Sequence, residues 1–184
     1  MLESVIECYV MKNNLKKIKL ILLDVDGVLT DGRIIKGSNG FEILEFHVHD
    51  GVGIVLAKKA GYLIGIISGR DSEIIHERGA YLGIDEIHTN VFYKTEPYEK
   101  ILKKYNLTDQ EVCYVGDELL DLPILERVGF SVAPSNAIKD IKQSVDYITK
   151  APGGNGAVRE VIDLILEKTG KKKDLIKKIL TKKP

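Results

Sequence analysis

The sequence predicts an α/β fold built on a central parallel sheet, and two observations carry this. Apolar runs end at Val25, Ile67, His88, Val115 and Ile148, and helix-length segments separate them. A strand buried on both faces is a continuous apolar run, and strands that alternate with helices pair in parallel beneath two helical layers. The expected architecture is therefore a Rossmann-like three-layer α/β/α sandwich. Its 184 residues form one domain (1–184) large enough for an ample core, which spans 18–167.

Taken in order, the first run is Leu20 to Leu23, which leads into Asp24-Val25-Asp26-Gly27. A flap follows over 32–49, with halves Arg33 to Lys36 and Phe41 to Val48 flanking Gly37-Ser38-Asn39-Gly40. This pattern predicts a hairpin, with a bulge where alternation breaks at Ile43 and Leu44. A helix of about three turns runs through Lys59, where Asp50 is a candidate cap. Tyr62 to Ile67 forms the second strand, and a helix over Asp71 to Leu82 follows with Asp71 as its cap. After a short strand at Glu86 to Thr89, Thr95 and Pro97 open the next helix. The remaining elements are a strand ending at Val115, a short strand around Tyr147 and Ile148, and a helix at Ala157 to Glu167. The tail over 168–184 holds eight lysines against one acid, Asp174, and is expected to be a solvated terminus.

The chemistry concentrates where these runs stop. Asp24 and Asp26 sit two apart at a strand's end, so both side chains leave on one side and one ligand could meet both. Gly27 lets the chain turn sharply there. Two like charges so close repel, which a divalent cation relieves. The plainer alternative is a strand followed by a common Asp-Gly turn. Three further segments favour the chemical account. Ser68-Gly69 closes the second run with a hydroxyl and turn amides suited to an anion. Lys94 precedes a helix start. Gly116-Asp117-Glu118-Leu119-Leu120-Asp121 places three acids within five residues, and a hard cation would hold such charge together.

In this order, the four segments resemble the haloacid dehalogenase superfamily of phosphohydrolases. The resemblance implies Asp24 as nucleophile, Asp26 as general acid and base, and Ser68 and Lys94 as holders of the transferring oxygens. It implies Mg²⁺ bound by Asp24, Asp117 and the backbone carbonyl of Asp26. Glu118 departs from the family's usual second Asp, so the outer ligand is either Glu118 or Asp121. Cap domains of this superfamily lie between the motifs, and the spacings here leave no room for one. The strings DVDGVLTDG, FHVHDGVGI, ISGR, GDELLDLPIL and GGNGAVREV are similar to those of the capless 3-deoxy-D-manno-octulosonate 8-phosphate phosphatases. That likeness implies a cytoplasmic Mg²⁺-dependent homotetramer acting on a small sugar-acid phosphate in lipopolysaccharide biosynthesis, with flaps meeting between subunits. It also brings the segment Gly153 to Gly156 near the pocket.

A sugar acid carries a carboxylate as well as a phosphate, so Arg70 and Arg78 join Ser68, Gly69 and Lys94 as candidate substrate-binding residues. Arginine at position 70 favours the eight-carbon sugar, because related nine-carbon phosphatases typically have Glu there. An ion pair with Glu77 or Asp85 accounts equally well for Arg78. The alternatives are a nonulosonate 9-phosphate or another phosphoester as substrate, or a noncatalytic oligomerising module like those fused to cytidylyltransferases.

Composition excludes other classes. The 27 basic and 27 acidic residues balance, which gives no nucleic-acid footprint. Residues 1–19 mix Glu3 and Glu7 with lysines, resemble a lead-in helix and carry no targeting signal. No apolar stretch approaches the roughly 20 residues that would span a membrane. Cys8 and Cys113 lack metal-ligand spacing, as do His47, His49, His76 and His88.

Overall fold

The computed structural model describes residues 15–181. The expected lead-in helix and Cys8 fall largely or wholly on residues 1–14, outside the described residues. Leu15 and Ile18, at the start of what is described, are buried in the core.

Strand β1 (Leu20–Leu23) is wholly buried and lies at the middle of the sheet. The flap strands β2 (Ile35–Lys36) and β3 (Glu42–Ile43) follow, then helix α1 (Val48–Lys59) and strand β4 (Leu63–Ile67). Helix α2 (Glu73–Leu82), β5 (Glu86–His88) and α3 (Thr95–Tyr105) complete one half. The other half holds β6 (Val112–Val115), α4 (Leu122–Leu125), β7 (Phe130–Ala133), α5 (Lys139–Lys142) and β8 (Tyr147–Ile148). Helices α6 (Ala157–Lys168) and α7 (Lys171–Thr181) close the described chain. The sheet order is β5-β4-β1-β6-β7-β8, all parallel.

The alternation of β1 separates two cores. Ile21 and Leu23 pack with Ile54, Val161 and Ile165 beneath α1 and α6, while Leu20 and Leu22 pack with Tyr98, Ile101 and Ile124 beneath α3 and α4. Each such side chain contributes roughly 1.5–3 kcal/mol on burial, so the four residues of β1 anchor both helical layers. No helix among the described residues is long and apolar enough to cross a membrane.

The structure corrects several expectations. A sixth strand, β7, joins the sheet; its four residues, all buried, are too short a run to stand out beside Gly129. The hairpin ladder is two residues long per strand, pairs Ile35 with Ile43 and Lys36 with Glu42, and stops there, so no bulge forms at Ile43 and Leu44. Instead the chain folds back: Leu44 and Phe46 pack on the core, and α1 already begins at Val48. Helix α2 starts after Ser72, and Asp71 faces the cleft described below instead of capping it. Asp50 caps a different helix from its own. Its carboxylate accepts the N–H groups of Gly156 (3.1 Å) and Arg159 (2.7 Å) at the start of α6. The lysine-rich tail is helical from Lys171 to Thr181, and Leu175 is buried against the core.

Candidate active site

The chain proceeds from β1 to β4 on one side, then returns to β6 on the other, so the sheet's topology reverses at β1. In such sheets the crevice beyond the strands' carboxyl ends, at the reversal, binds ligands. Asp24 directly follows β1, Ser68 follows β4, and Gly116 and Asp117 follow β6. These three neighbouring strand ends open on a cleft of about 550 Å³. Asp26, Gly69, Arg70, Lys94 and Glu118 also line it, with Ile34 and Lys36 of the flap on one side.

Asp24 is 7% exposed. The backbone N–H of Val25 donates to its Oδ1 at 2.6 Å, and the Lys94 ammonium lies 2.7 Å from its Oδ2. Lys94 immediately precedes α3, is 4% exposed, and donates a second bond of 2.7 Å to Asp121. Burial pulls this lysine down, but Asp24 and Asp121 together outweigh it and raise Lys94 above the ordinary lysine range. It is a fixed positive charge at the floor of the cleft.

Carboxylate oxygens of Asp24, Asp117 and Asp121 lie within 4.8 Å of one another. Burial, followed by the charge of Asp121, pushes Asp24 up to about 7. Burial, followed by the charge of Asp24, does the same to Asp117. Converging acids whose charged forms are this disfavoured fit a hard divalent cation such as Mg²⁺.

Asp121 is not free to join them. Its Oδ1 accepts from Lys94 and from Tyr114 Oη (2.7 Å), and its Oδ2 accepts the N–H groups of Asp117 (3.0 Å) and Glu118 (3.2 Å). Every lone pair of this fully buried carboxylate is taken, so it fixes the lysine and the Asp117 turn together. Of the two outer-ligand candidates, Glu118 is the one that lines the cleft, although its Oε1 also accepts the N–H of Leu119.

The side chain of Asp26 points elsewhere along the cleft. The Nε of Arg70 donates to both of its oxygens, at 2.8 and 3.1 Å, and Nη1 of Arg70 donates to Glu42 Oε1 at 2.8 Å. The Asp26 carboxylate is thus bound to arginine and is not among the acids whose oxygens converge with Asp24 and Asp117. Ser68 is buried, and its Oγ accepts the Arg70 N–H at 3.2 Å.

Arg78 does not join this group. It lies over the rings of Phe46 (5.6 Å) and Tyr81 (5.7 Å) and lines a separate small cavity under the flap with His47 and Asp50. Its guanidinium passes so close to α1 that a Cβ on Gly51 would fall 2.6 Å from Nη2. It pairs with neither Glu77 nor Asp85; the latter is held by Lys58. Gly153 and Gly154 lie behind the Asp24–Gly27 turn, outside the cleft. A Cβ on Gly153 would overlap the Gly27 carbonyl, and the Gly154 N–H donates to Val28 O at 2.9 Å. Asn136 clamps the two loops: its Nδ2 donates to Gly27 O (3.0 Å) and its Oδ1 accepts the Gly153 N–H (2.6 Å). Asn136, Tyr114 and Glu42 were not foreseen from sequence, because each acts through a partner distant along the chain.

Residues 80–162 match the family described as haloacid dehalogenase-like hydrolase. The chain is 42% identical over 156 residues to the 3-deoxy-D-manno-octulosonate 8-phosphate phosphatase of Escherichia coli K12, covering 85% of this chain and 83% of that protein. Among solved structures it resembles the enzyme of the same description from Moraxella catarrhalis, in complex with magnesium, phosphate and KDO. The TM-score there is 0.89, with 37% identity and 92% and 97% of the two chains covered. The cobalt-bound deoxy-D-mannose-octulosonate 8-phosphate phosphatase from Haemophilus influenzae gives 0.83, with 39% identity and 86% and 92% covered.

Proposed function

The chain belongs to the 3-deoxy-D-manno-octulosonate 8-phosphate phosphatases of the haloacid dehalogenase-like hydrolases, and from this premise we propose that it hydrolyses that sugar-acid phosphomonoester in a Mg²⁺-dependent reaction serving lipopolysaccharide biosynthesis. The meeting of Asp24, Asp117 and Lys94 in one cleft at the reversal of the sheet is the observation that carries the reading.

Asp24 attacks phosphorus and becomes an aspartyl phosphate, while Asp26 gives a proton to the departing sugar alkoxide. Asp26 then takes a proton from the water that cleaves the acyl phosphate. Lys94 and Ser68, with the Gly69 turn, hold the transferring oxygens and balance their charge. Asp24, Asp117 and the Asp26 carbonyl would hold Mg²⁺, whose charge lets an anionic nucleophile approach an anionic ester. Arg70 stands at the cleft wall where the sugar carboxylate would lie. Arg78, seated under the flap, has no part in this subunit's cleft.

The flap supports an oligomer. Ile34, Ile35, Phe41, Ile43, Val48 and Val52 are exposed on and beside a two-stranded ribbon that is marginal alone. We propose a homotetramer of single-domain subunits whose flaps pack together, a reading that these exposed apolar residues support, and, from the family likeness, a cytoplasmic location. Phosphate release from a panel of sugar phosphates and phosphopeptides, with Mg²⁺ and with EDTA, tests the function. Release confined to Mg²⁺ and strongest for the eight-carbon sugar acid is expected. Preference for a nine-carbon sugar acid would replace the substrate, and metal-independent release would remove the mechanism.

A further inference from the structure

Arg70 is the hub of a charge chain that joins the flap to the cleft. Its Nε edge holds both oxygens of Asp26, and its Nη1 holds Glu42 Oε1. The other oxygen of Glu42 accepts the Ser72 hydroxyl at 2.8 Å. Ser72 ends the loop after β4, whereas Glu42 belongs to flap strand β3, so the chain Asp26, Arg70, Glu42, Ser72 spans two separate pieces of backbone. The Arg70 side chain is only 9% exposed and that of Glu42 18%, while Asp26 at 32% faces the cleft. The exposed end of the chain is thus the acid, and its buried end is the support.

We propose that Glu42 is a positioning residue: seated by the flap and by Ser72, it holds Arg70 in the one orientation that fixes the Asp26 carboxylate for proton transfer to the leaving alkoxide. This rests on Asp26 being the general acid, as assigned above. An arginine anchored at one edge alone swings about its long stem, and the acid it grips moves with it. Anchored at two edges, the planar guanidinium has one orientation left. The same geometry limits Arg70 as a grip for the substrate carboxylate, because only Nη2 remains without a protein partner among the hydrogen bonds described. The two N–H groups of Nη2, with the second N–H of Nη1, are the donors left for a substrate carboxylate.

Glu42→Gln keeps the size of the side chain and removes its charge. Proton donation matters when the leaving group is a poor one, as in a sugar alkyl phosphate, and little for p-nitrophenyl phosphate, whose phenolate departs unaided. General acids contribute roughly 10²–10⁴-fold, so a displaced one should lower the single-turnover rate of phosphoryl transfer from the sugar-acid phosphate about tenfold and that from p-nitrophenyl phosphate less than about twofold; the later hydrolysis, where Asp26 is the base, is common to both esters and is not part of this rate. Ser72→Ala, which loosens Glu42 without removing its charge, should give the same pattern more weakly; it decides the matter if Glu42→Gln fails to fold. Equal losses on both esters would mean that Glu42 only supports the fold, and the proposal falls. A lower KM for the sugar-acid phosphate with unchanged kcat would also overturn it, by showing Glu42 to be a competitor for Arg70. Wild-type protein silent on both esters would remove the phosphatase reading, and this proposal with it; an active wild type with a uniformly weakened variant removes only the role of Glu42.

Discussion

Gly27 and Asp117 are packed so tightly that a Cβ at position 27 would fall 2.5 Å from the carboxyl carbon of Asp117. Gly27 also has φ of 77°, a conformation unfavourable for residues with a side chain. The turn that carries Asp24 and Asp26 and the turn that carries Asp117 therefore approach each other only because position 27 has no side chain. Gly27→Ala is expected to cost about 1–2 kcal/mol of stability from the backbone alone and to push Asp117 away from Asp24. Calorimetric Mg²⁺ titration should show affinity weakened at least about tenfold. Unchanged affinity would mean that the two turns are not a single metal-binding unit.

That relationship shows what sequence could and could not reveal. Asp24, Ser68 and Asp117 were legible because each ends an apolar run, and in a parallel sheet the strand ends collect along one edge. Position along the chain then becomes position in space. Lys94 was legible as the residue before a helix. The supports were not: Glu42 meets Arg70 from a hairpin whose register rests on two residue pairs, and Asp50 reaches a helix more than a hundred residues away. Arg78 lies apart from the cleft for the opposite reason. Its place on α2 is local, but the face it occupies turns toward α1 and Phe46, away from the strand ends.

Asp121 offers a stability test of the buried network. All its partners arrive as donors, and only Tyr114 Oη can reverse. Asp121→Asn must therefore turn an NH₂ toward either the Lys94 ammonium or two backbone N–H groups. Breaking a buried charged pair costs about 3–5 kcal/mol, and about 3 kcal/mol is expected here in urea unfolding. A loss below about 1 kcal/mol would show that the network relaxes around the amide without strain.

Metal-free protein should lose stability as pH rises through neutrality. Asp24 and Asp117, both pushed up to about 7 chiefly by burial, bind more protons folded than unfolded, where an aspartate titrates near about 4. Their contribution is complete below that lower value and disappears as pH climbs through about 7. In EDTA, Tm should fall between about pH 5.5 and about pH 8, and Mg²⁺ should restore it mainly at the higher pH, because ligating carboxylates must be deprotonated. An equal Mg²⁺ effect at both pH values would show that the two acids do not share the cation.

Asp50 caps a helix from across the fold, and its loss should reach the turn that carries Asp24 and Asp26. The carboxylate is almost entirely buried and satisfies the N–H groups of Gly156 and Arg159, at the point where the glycine segment becomes α6. Burial raises its pKa, and the N–H bonds of Arg159 and Gly156, followed by the charges of His47 and His49, oppose the shift. Removing an N-cap costs about 0.5–2 kcal/mol, and leaving buried donors unpaired adds about 1–3 kcal/mol. Asp50→Ala is therefore expected to lose about 3 kcal/mol in urea unfolding, and Asp50→Asn, which keeps one acceptor, about half of that. The glycine segment also supports Gly27 through Gly153 and Asn136, so hydrogen exchange at Gly153, Gly154 and Val28 should quicken in Asp50→Ala well before global unfolding. If exchange there changed only in step with the rest of the domain, the cap would serve overall stability alone, and α6 would not be what steadies the turn after Asp24.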